Sequence, residues 1–222
     1  FSDADLDKAL PVVVKAIIQH AGQTCSAGSR ILVQKSIYDE FMTQVASQFG
    51  KVRVGTPDMD LDCGPVMNGK QQRLVQGFRT EAIESGIQLL AEGSCADGLD
   101  QNGFWVQPAL FGNVPRDHRL ACDEVFGPVL TAIPFDDEAD AIKLANATEY
   151  GLVGSVWTKD GDRQQRVAKR MNCGQIFINN YGAGGGVELP FGGMKKSGHG
   201  REKGFVALEH FTTTKTIVHH HG

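Results

Sequence analysis

The sequence has no long hydrophobic run, no excess of one charge and no closely spaced cysteines. Its 22 basic and 26 acidic residues give a net charge of −4, which provides no electrostatic footprint for nucleic acid or an anionic membrane. No apolar stretch approaches the roughly 20 residues that a membrane-spanning helix requires. The cysteines, at positions 25, 63, 95, 122 and 173, lack the spacing of zinc sites or redox pairs. We therefore expect a reduced, cytoplasmic chain with no metal and with neither nucleic acid nor a membrane as a partner.

The length and composition are those of an ordinary folded domain. The chain has 222 residues, of which 41% are hydrophobic, and this is enough for one large domain or one and a half. It begins with Phe1 and not with methionine. We therefore expect either a processed chain or a piece of a longer one.

Apolar segments with strand character alternate with helical patterns along most of the chain. Helices of about 10–15 residues between such strands predict an α/β fold with an open, twisted, largely parallel sheet and flanking helices. Glycine, proline and aspartate predict a loop over 55–65. The predicted strands are 30–34, 87–92, 128–135, 154–158 and 175–179, and the predicted helices are 37–49, 74–86, 136–146 and 162–172.

Three segments carry more local predictions. Pro11 lacks a backbone donor and its ring clashes with the preceding turn, so we expect two helical pieces or a kink there. Ser36 followed by Asp39 resembles a capping box at the start of a helix. The tail FTTTKTIV (211–218) alternates β-branched and polar residues, which predicts a C-terminal strand.

Cys25 is the first candidate functional residue. The segment GQTCSAGSR (22–30) places it between a helix and a strand, among glycines and small polar residues. A buried structural cysteine normally has apolar neighbours, whereas this thiol is expected to be approachable and able to ionise. From the residues alone, a catalytic cysteine and an inert loop cysteine are equally supported. The other four cysteines are expected to be structural.

Two further segments combine unusual residues. EVFGP (124–128) places a carboxylate and an aromatic ring beside a Gly-Pro turn, although an exposed acid at a strand entrance is the favoured interpretation of this segment by itself. The glycines of 182–193 indicate a loop that needs positive φ or a close approach to a ligand. They do not form a dinucleotide-binding GxGxxG motif, because Val187 occupies the third small position and no helix opens there.

The order of three motifs indicates a family. GQTCSAGSR, then EVFGPV, then PFGGMKKSGHGRE closely resembles the aldehyde dehydrogenase superfamily, and the similarity extends over essentially the whole chain. The resemblance implies an oxidoreductase that converts an aldehyde to a carboxylic acid with NAD or NADP. It also implies a catalytic domain over 1–195 and a C-terminal segment over 196–222 that contains an oligomerisation strand. The resemblance further implies that the family's cofactor-binding domain is absent from this chain.

The resemblance also implies roles for individual residues. Cys25 would be the nucleophile, which passes through a thiohemiacetal and a thioester. Glu124 would bond to the nicotinamide ribose of the cofactor, Phe126 would pack against that end of the cofactor, and Gln71 would add another ribose contact. Glu124 and Phe126 are expected to position the cofactor and not to act as acids or bases.

The predicted aldehyde entrance lies near the nucleophile. Thr24 and Ser26 flank Cys25, while Gly184, Gly185 and Glu188 belong to the loop that would line the mouth in this family. Several family members have aromatic residues in that loop, so the glycines and the acid imply a wider or more polar mouth.

The resemblance has two consequences for the chain by itself. The family's oxyanion asparagine and general-base glutamate lie in the absent half, so we expect no measurable dehydrogenase turnover from these residues alone. The C-terminal segment of the family pairs with a neighbouring subunit, which implies a dimer or tetramer.

Two other functions stay open on the sequence. A cysteine hydrolase could pair Cys25 with His20 or His199, since spacing alone does not exclude such a dyad. A non-enzymatic scaffold built on a former dehydrogenase is the second alternative, and the intact Cys25 is evidence against it.

Overall fold

The computed structural model describes residues 1–182 and 186–222. The strands are β1 (Arg30–Gln34), β2 (Arg53–Val54), β3 (Gln88–Glu92), β4 (Ser94–Cys95), β5 (Ala109–Gly112), β6 (Val129–Phe135), β7 (Val153–Val156) and β8 (Gln175–Ile178). The α-helices are α1 (Leu6–Ile18), α2 (Tyr38–Phe49), α3 (Gly69–Glu84), α4 (Arg119–Cys122), α5 (Glu138–Ala145), α6 (Gly161–Arg170) and α7 (Ala207–His210). None of the helices in these two ranges is long and apolar enough to span a membrane.

The strands form three separate sheets. The largest has the order β1-β6-β5-β3, while β2 pairs with β4 and β7 pairs with β8. Every pairing is parallel except that of β3 with β5, which is antiparallel and contains a register shift. The predicted α/β class with mostly parallel pairing is therefore confirmed, although the strands are divided among three sheets.

The hydrophobic core surrounds the largest sheet. β5 and β6 are almost completely buried, as expected for central strands made of continuous apolar runs. Helix α2 contacts β3 and β5, and α5 contacts β1 and β6. Three phenylalanines, Phe49, Phe111 and Phe135, are among the largest fully buried side chains. This core fixes β1, which directly follows the segment that contains Cys25.

Side-chain caps begin several helices where the sequence places a suitable residue. Asn68 accepts a hydrogen bond from the Gln71 amide at the start of α3, and Asp137 accepts one from Asp140 at the start of α5. The predicted capping box at Ser36 is wrong. A short 3₁₀ turn, Lys35–Ile37, precedes α2, and no side chain caps that helix.

Of the two alternatives predicted at Pro11, two helical pieces are wrong and a kink stays a prediction. Helix α1 is assigned without interruption from Leu6 to Ile18, with Pro11 inside it. Proline removes only one backbone hydrogen bond, and the turns after it are fixed because Val14 and Ile17 are buried.

The tail 211–218 forms no strand within the described residues and is exposed throughout. A strand requires a partner for its backbone groups, and no element within 1–182 and 186–222 pairs with the tail. The predicted C-terminal strand is therefore absent from the single chain.

Candidate active site

Cys25 lies in an irregular turn between α1 and β1. The preceding 3₁₀ turn, Gln19–Gly22, contains three consecutive residues with positive φ, which are His20, Ala21 and Gly22. At Gly22 a side chain would collide with the backbone carbonyl of Gly127. This close approach joins the Cys25 turn to the EVFGP loop and requires glycine there.

Cys25 differs from the other four cysteines in its exposure. Its residue is exposed, whereas Cys63 is buried and the remaining three are of intermediate exposure. Burial raises the pKa of Cys63 to about 11, and it also raises the pKa of Cys95 and of Cys173. Since the thiolate is the nucleophilic form of cysteine, these three thiols are poor candidates for catalysis. The structure therefore supports Cys25 as the reactive thiol.

The backbone around Cys25 is fixed from several directions. Gly28 donates its amide hydrogen to Ala16 at 3.0 Å, and the Tyr181 hydroxyl donates to the Ser26 carbonyl at 2.8 Å. Burial raises the pKa of Tyr181 to about 12, so its hydroxyl stays protonated and able to donate at neutral pH. The Cys25 amide has no acceptor among the described residues. That N–H is free to donate to an oxyanion that forms beside the thiol.

Thr24 and Ser26, the predicted flanking residues, lie on either side of the thiol. Their hydroxyl oxygens are 3.4 Å apart and share a hydrogen bond in which either one could be the donor. Ser26 lines the same cleft as Cys25, whereas Thr24 does not.

Glu124 lines the cleft that contains Cys25, a cavity of about 320 Å³. Its side chain reaches solvent, yet partial burial raises the pKa of its carboxyl group. Phe126 has a φ of 53° and lines a second hollow, together with His20 and Gln23. The EVFGP loop thus presents its carboxylate and its ring to two hollows, one of which contains the thiol.

Gln71 fixes the EVFGP loop. Its side-chain amide nitrogen donates to the carbonyl oxygens of Val125 at 3.1 Å and Phe126 at 2.8 Å. The hydrogens of that amide are therefore used by the loop, and the ribose contact of Gln71 stays a prediction. The sequence did not predict this positioning role, because the two segments are 54 residues apart.

The described residues include only part of the predicted entrance loop. Gly184 and Gly185 lie outside the described residues. Glu188 is exposed, folds back over Gly186, and is not among the residues that line the Cys25 cleft. Its predicted place at the aldehyde entrance stays a prediction.

Tyr181 lies in the predicted entrance loop (180–189), but the sequence interpretation assigned it no role of its own. It follows β8, where Asn179 bonds through its side-chain amide to the backbone N–H and carbonyl of Thr158 at 3.0 Å each. The available sequence signal was an aromatic residue between the end of a strand and a glycine-rich segment. Residues that directly follow parallel strands meet at the carboxyl edge of the sheet, where binding sites form.

Neither candidate histidine contacts Cys25. The imidazoles of His20 and His199 form no hydrogen bond or ion pair within residues 1–182 and 186–222, and neither lines the Cys25 cleft. The structure therefore gives the hydrolase dyad no support.

The comparisons with known proteins agree with one another. The family model described as "Aldehyde dehydrogenase family" matches residues 1–217. Betaine aldehyde dehydrogenase of Bacillus subtilis is 38% identical over 219 residues, which cover 98% of this chain and 44% of the relative. The chain therefore spans less than half the length of the curated relatives that it matches.

Solved structures also match nearly the whole of this chain, and the match again covers less than half of their own length. A candidate aldehyde dehydrogenase from Burkholderia cenocepacia has a TM-score of 0.95 and 56% identity, over 98% of this chain and 46% of that one. The aldehyde dehydrogenase of Mycobacterium tuberculosis complexed with NAD+ has a TM-score of 0.90 and 41% identity, over 96% and 44%.

Proposed function

Since this chain belongs to the aldehyde dehydrogenase family, we propose that it is the thiol-bearing part of an enzyme that oxidises an aldehyde to a carboxylic acid with NAD or NADP. In this proposal residues 1–195 form the catalytic domain and 196–222 the C-terminal segment. The second half of the site, including the cofactor-binding domain, belongs to the remaining length of such an enzyme.

One observation carries the proposal. The exposed Cys25 and the Glu124 carboxylate line one cleft, and Gln71 fixes the loop that contains Glu124 through two hydrogen bonds. A nucleophile beside a rigid, polar binding loop is the arrangement required for covalent catalysis on a bound carbonyl compound. Cys122 and Cys173 line the same cavity, but both are less exposed than Cys25, and burial raises the pKa of Cys173.

The role of Cys25 follows from its surroundings. Its thiolate forms a bond to the aldehyde carbon, which gives a thiohemiacetal whose oxygen lies within reach of the Cys25 N–H. When bound, the cofactor would supply a two-electron acceptor, which allows the thiohemiacetal carbon to be oxidised to the acyl level. Cys25 then retains the acyl group as a thioester until water releases the carboxylic acid.

The residues present fit the nicotinamide end of such a cofactor. The Glu124 carboxylate can accept hydrogen bonds from ribose hydroxyls, and Phe126 offers a flat apolar surface on the same loop. NAD is supported by the NAD+ complexes of the Mycobacterium tuberculosis and Staphylococcus aureus structures, which are similar to this chain. We also propose that the exposed tail 211–218 becomes a strand by pairing with a second subunit.

A chimera tests the function directly. The chain is joined to the amino-terminal part of the Burkholderia cenocepacia relative, and reduction of NAD+ or NADP+ is followed with a panel of aldehydes. We expect turnover from the chimera and none from the 222 residues alone. Cys25→Ala should lower kcat by at least about a thousandfold, because losing a nucleophile removes the covalent route.

Cys95→Ala is the matched control, since this thiol lies outside the cleft. It should leave turnover within about twofold of the parent chimera, as expected for a change away from the reacting atoms. Full activity of Cys25→Ala would contradict the proposed mechanism, as would aldehyde-dependent cofactor reduction by the 222-residue chain.

A further inference from the structure

The carboxylate of Glu124 has no partner that fixes its direction. Within residues 1–182 and 186–222 it accepts no hydrogen bond and forms no ion pair, although it lines the Cys25 cleft. A binding group is effective when the structure around it holds it in one geometry. The direction of this carboxylate therefore depends on how the backbone on either side of Glu124 is held.

The backbone that follows Glu124 is bonded to helix α3. Gln71, in the first turn of that helix, donates to the carbonyls of Val125 and Phe126. The backbone that precedes Glu124 has less regular structure, because α4 is a single turn that ends at Cys122. A helix of one turn is unstable by itself, so this side of Glu124 needs a tertiary support.

The Arg119 side chain supplies that support. Its Nε donates at 3.1 Å to Asp123, the residue before Glu124, and its Nη1 donates to Glu81 at 3.0 Å. The central carbon of the same guanidinium lies 4.0 Å from the centre of the Phe78 ring. Both Glu81 and Phe78 belong to α3. One side chain therefore joins the residue before Glu124 to the helix that also holds the residues after it.

The contacts of Arg119 restrict its geometry more than a single surface ion pair would. An isolated exposed pair is screened by water and contributes little. The Arg119 guanidinium is a planar fork that bonds to two carboxylates and lies over a ring that is only 2% exposed. Glu81 is about 15 Å further along the helix than Gln71. Helix α3 thus holds the Glu124 segment at two separate points.

We propose that Arg119 is a positioning residue for the cofactor, which holds Asp123 against α3 and thereby fixes the direction of the Glu124 carboxylate. This inference rests on the proposed function, in which Glu124 bonds to the nicotinamide ribose. Arg119 lines neither the Cys25 cleft nor the hollow beside Phe126. It therefore acts only through the backbone of the Glu124 segment.

Backbone hydrogen exchange in the 222-residue chain tests the support itself. Arg119→Gln should speed exchange of the amides of residues 120–124 at least about threefold, because the single turn of α4 then opens more often. Arg116→Gln is the matched control. Arg116 precedes the same turn and is exposed to a similar extent, but its ion pair is with Asp140 on α5. The control should leave this exchange unchanged.

Steady-state kinetics of the chimera test the consequence for the cofactor. Arg119→Gln should raise the KM for NAD+ at least about threefold and leave the KM for the aldehyde within about twofold, because only cofactor binding is weakened. Asp123→Asn should produce the same change. The double variant should be no worse than either single variant, since Arg119 acts through Asp123. Arg116→Gln should change neither KM.

Several results would overturn the proposal. Unchanged exchange in Arg119→Gln would show that this side chain does not hold the segment. Faster exchange with an unchanged KM for NAD+, or an equal rise of that KM in Arg116→Gln, would show that the support has no specific effect on the cofactor. A parent chimera without turnover would instead be a failure of the proposed function, and the exchange measurement would still decide whether Arg119 holds the Glu124 segment.

Discussion

Replacing Tyr181 by phenylalanine removes a single hydrogen bond that fixes the Cys25 turn. The Tyr181 hydroxyl donates to the Ser26 carbonyl at 2.8 Å, and Ser26 is only 6% exposed. No other donor reaches that carbonyl within the described residues. The variant leaves a buried acceptor without a partner, which costs about 1–3 kcal/mol. For a chain of 222 residues each kcal/mol lowers the melting temperature by about 2–4 °C.

Thermal unfolding followed by circular dichroism measures this effect. Tyr150→Phe is the matched control, because its hydroxyl forms no hydrogen bond in the described chain and the side chain is 38% exposed. It should change the free energy of unfolding by less than about 0.5 kcal/mol. Because Tyr181 has a pKa of about 12, its hydroxyl stays protonated, and the difference between the variants should be the same at neutral and mildly alkaline pH.

The same variant should change the reactivity of Cys25. Loss of the bond to Ser26 releases the turn on one side of the thiol, so the rate of Cys25 alkylation by iodoacetamide should differ from that of the parent. Equal melting temperatures for Tyr181→Phe and Tyr150→Phe, together with an unchanged alkylation rate, would refute the conclusion that this bond fixes the turn.

Three further measurements test separate parts of the structure. Brief exposure to iodoacetamide followed by mass mapping should label Cys25 ahead of the four less exposed thiols, and uniform labelling would count against its assignment. The Arg116 guanidinium bonds to Asp140 and lowers the pKa of that carboxyl. Asp140→Asn should therefore destabilise the fold at pH 7 by an amount that disappears as pH falls below about 4, whereas a constant difference would exclude this linkage. Gly22→Ala should lower the melting temperature, because the position has positive φ and no room for a side chain, while Gly77→Ala in open space on α3 should raise stability by about 0.5–1 kcal/mol. Equal effects of the two glycine variants would contradict the close contact at Gly22.

Local patterns predicted most of the helices and strands. The apolar runs at 30–34 and 128–135 contain the whole of β1 and of β6, because buried parallel strands require continuous apolar residues. The failures occurred where tertiary contacts outweighed a local preference. Pro11 remains inside a helix because the following turns are buried. The tail 211–218 has no strand partner among the described residues, so its pairing with a second subunit stays a prediction.

The candidate site was predictable where its chemistry is local. Small residues on both sides of Cys25 indicated an open turn, and the structure places an exposed thiol there. The contribution of Tyr181 was not predictable, because its hydroxyl meets Ser26 across 155 positions of sequence. The resemblance implied that Gln71 contacts the ribose of the cofactor, and that contact stays a prediction. The structure adds that its side-chain nitrogen donates to two carbonyls of the EVFGP loop.

The sequence by itself determined the alternation of strands and helices and the resemblance to a family, and it singled out Cys25 as the candidate among five thiols, because each depends on neighbouring residues. Only the tertiary structure decided which cysteines are buried and which loop Gln71 supports. These properties arise when distant segments pack together, since burial and hydrogen bonding between them depend on the whole sheet and not on any one stretch of residues.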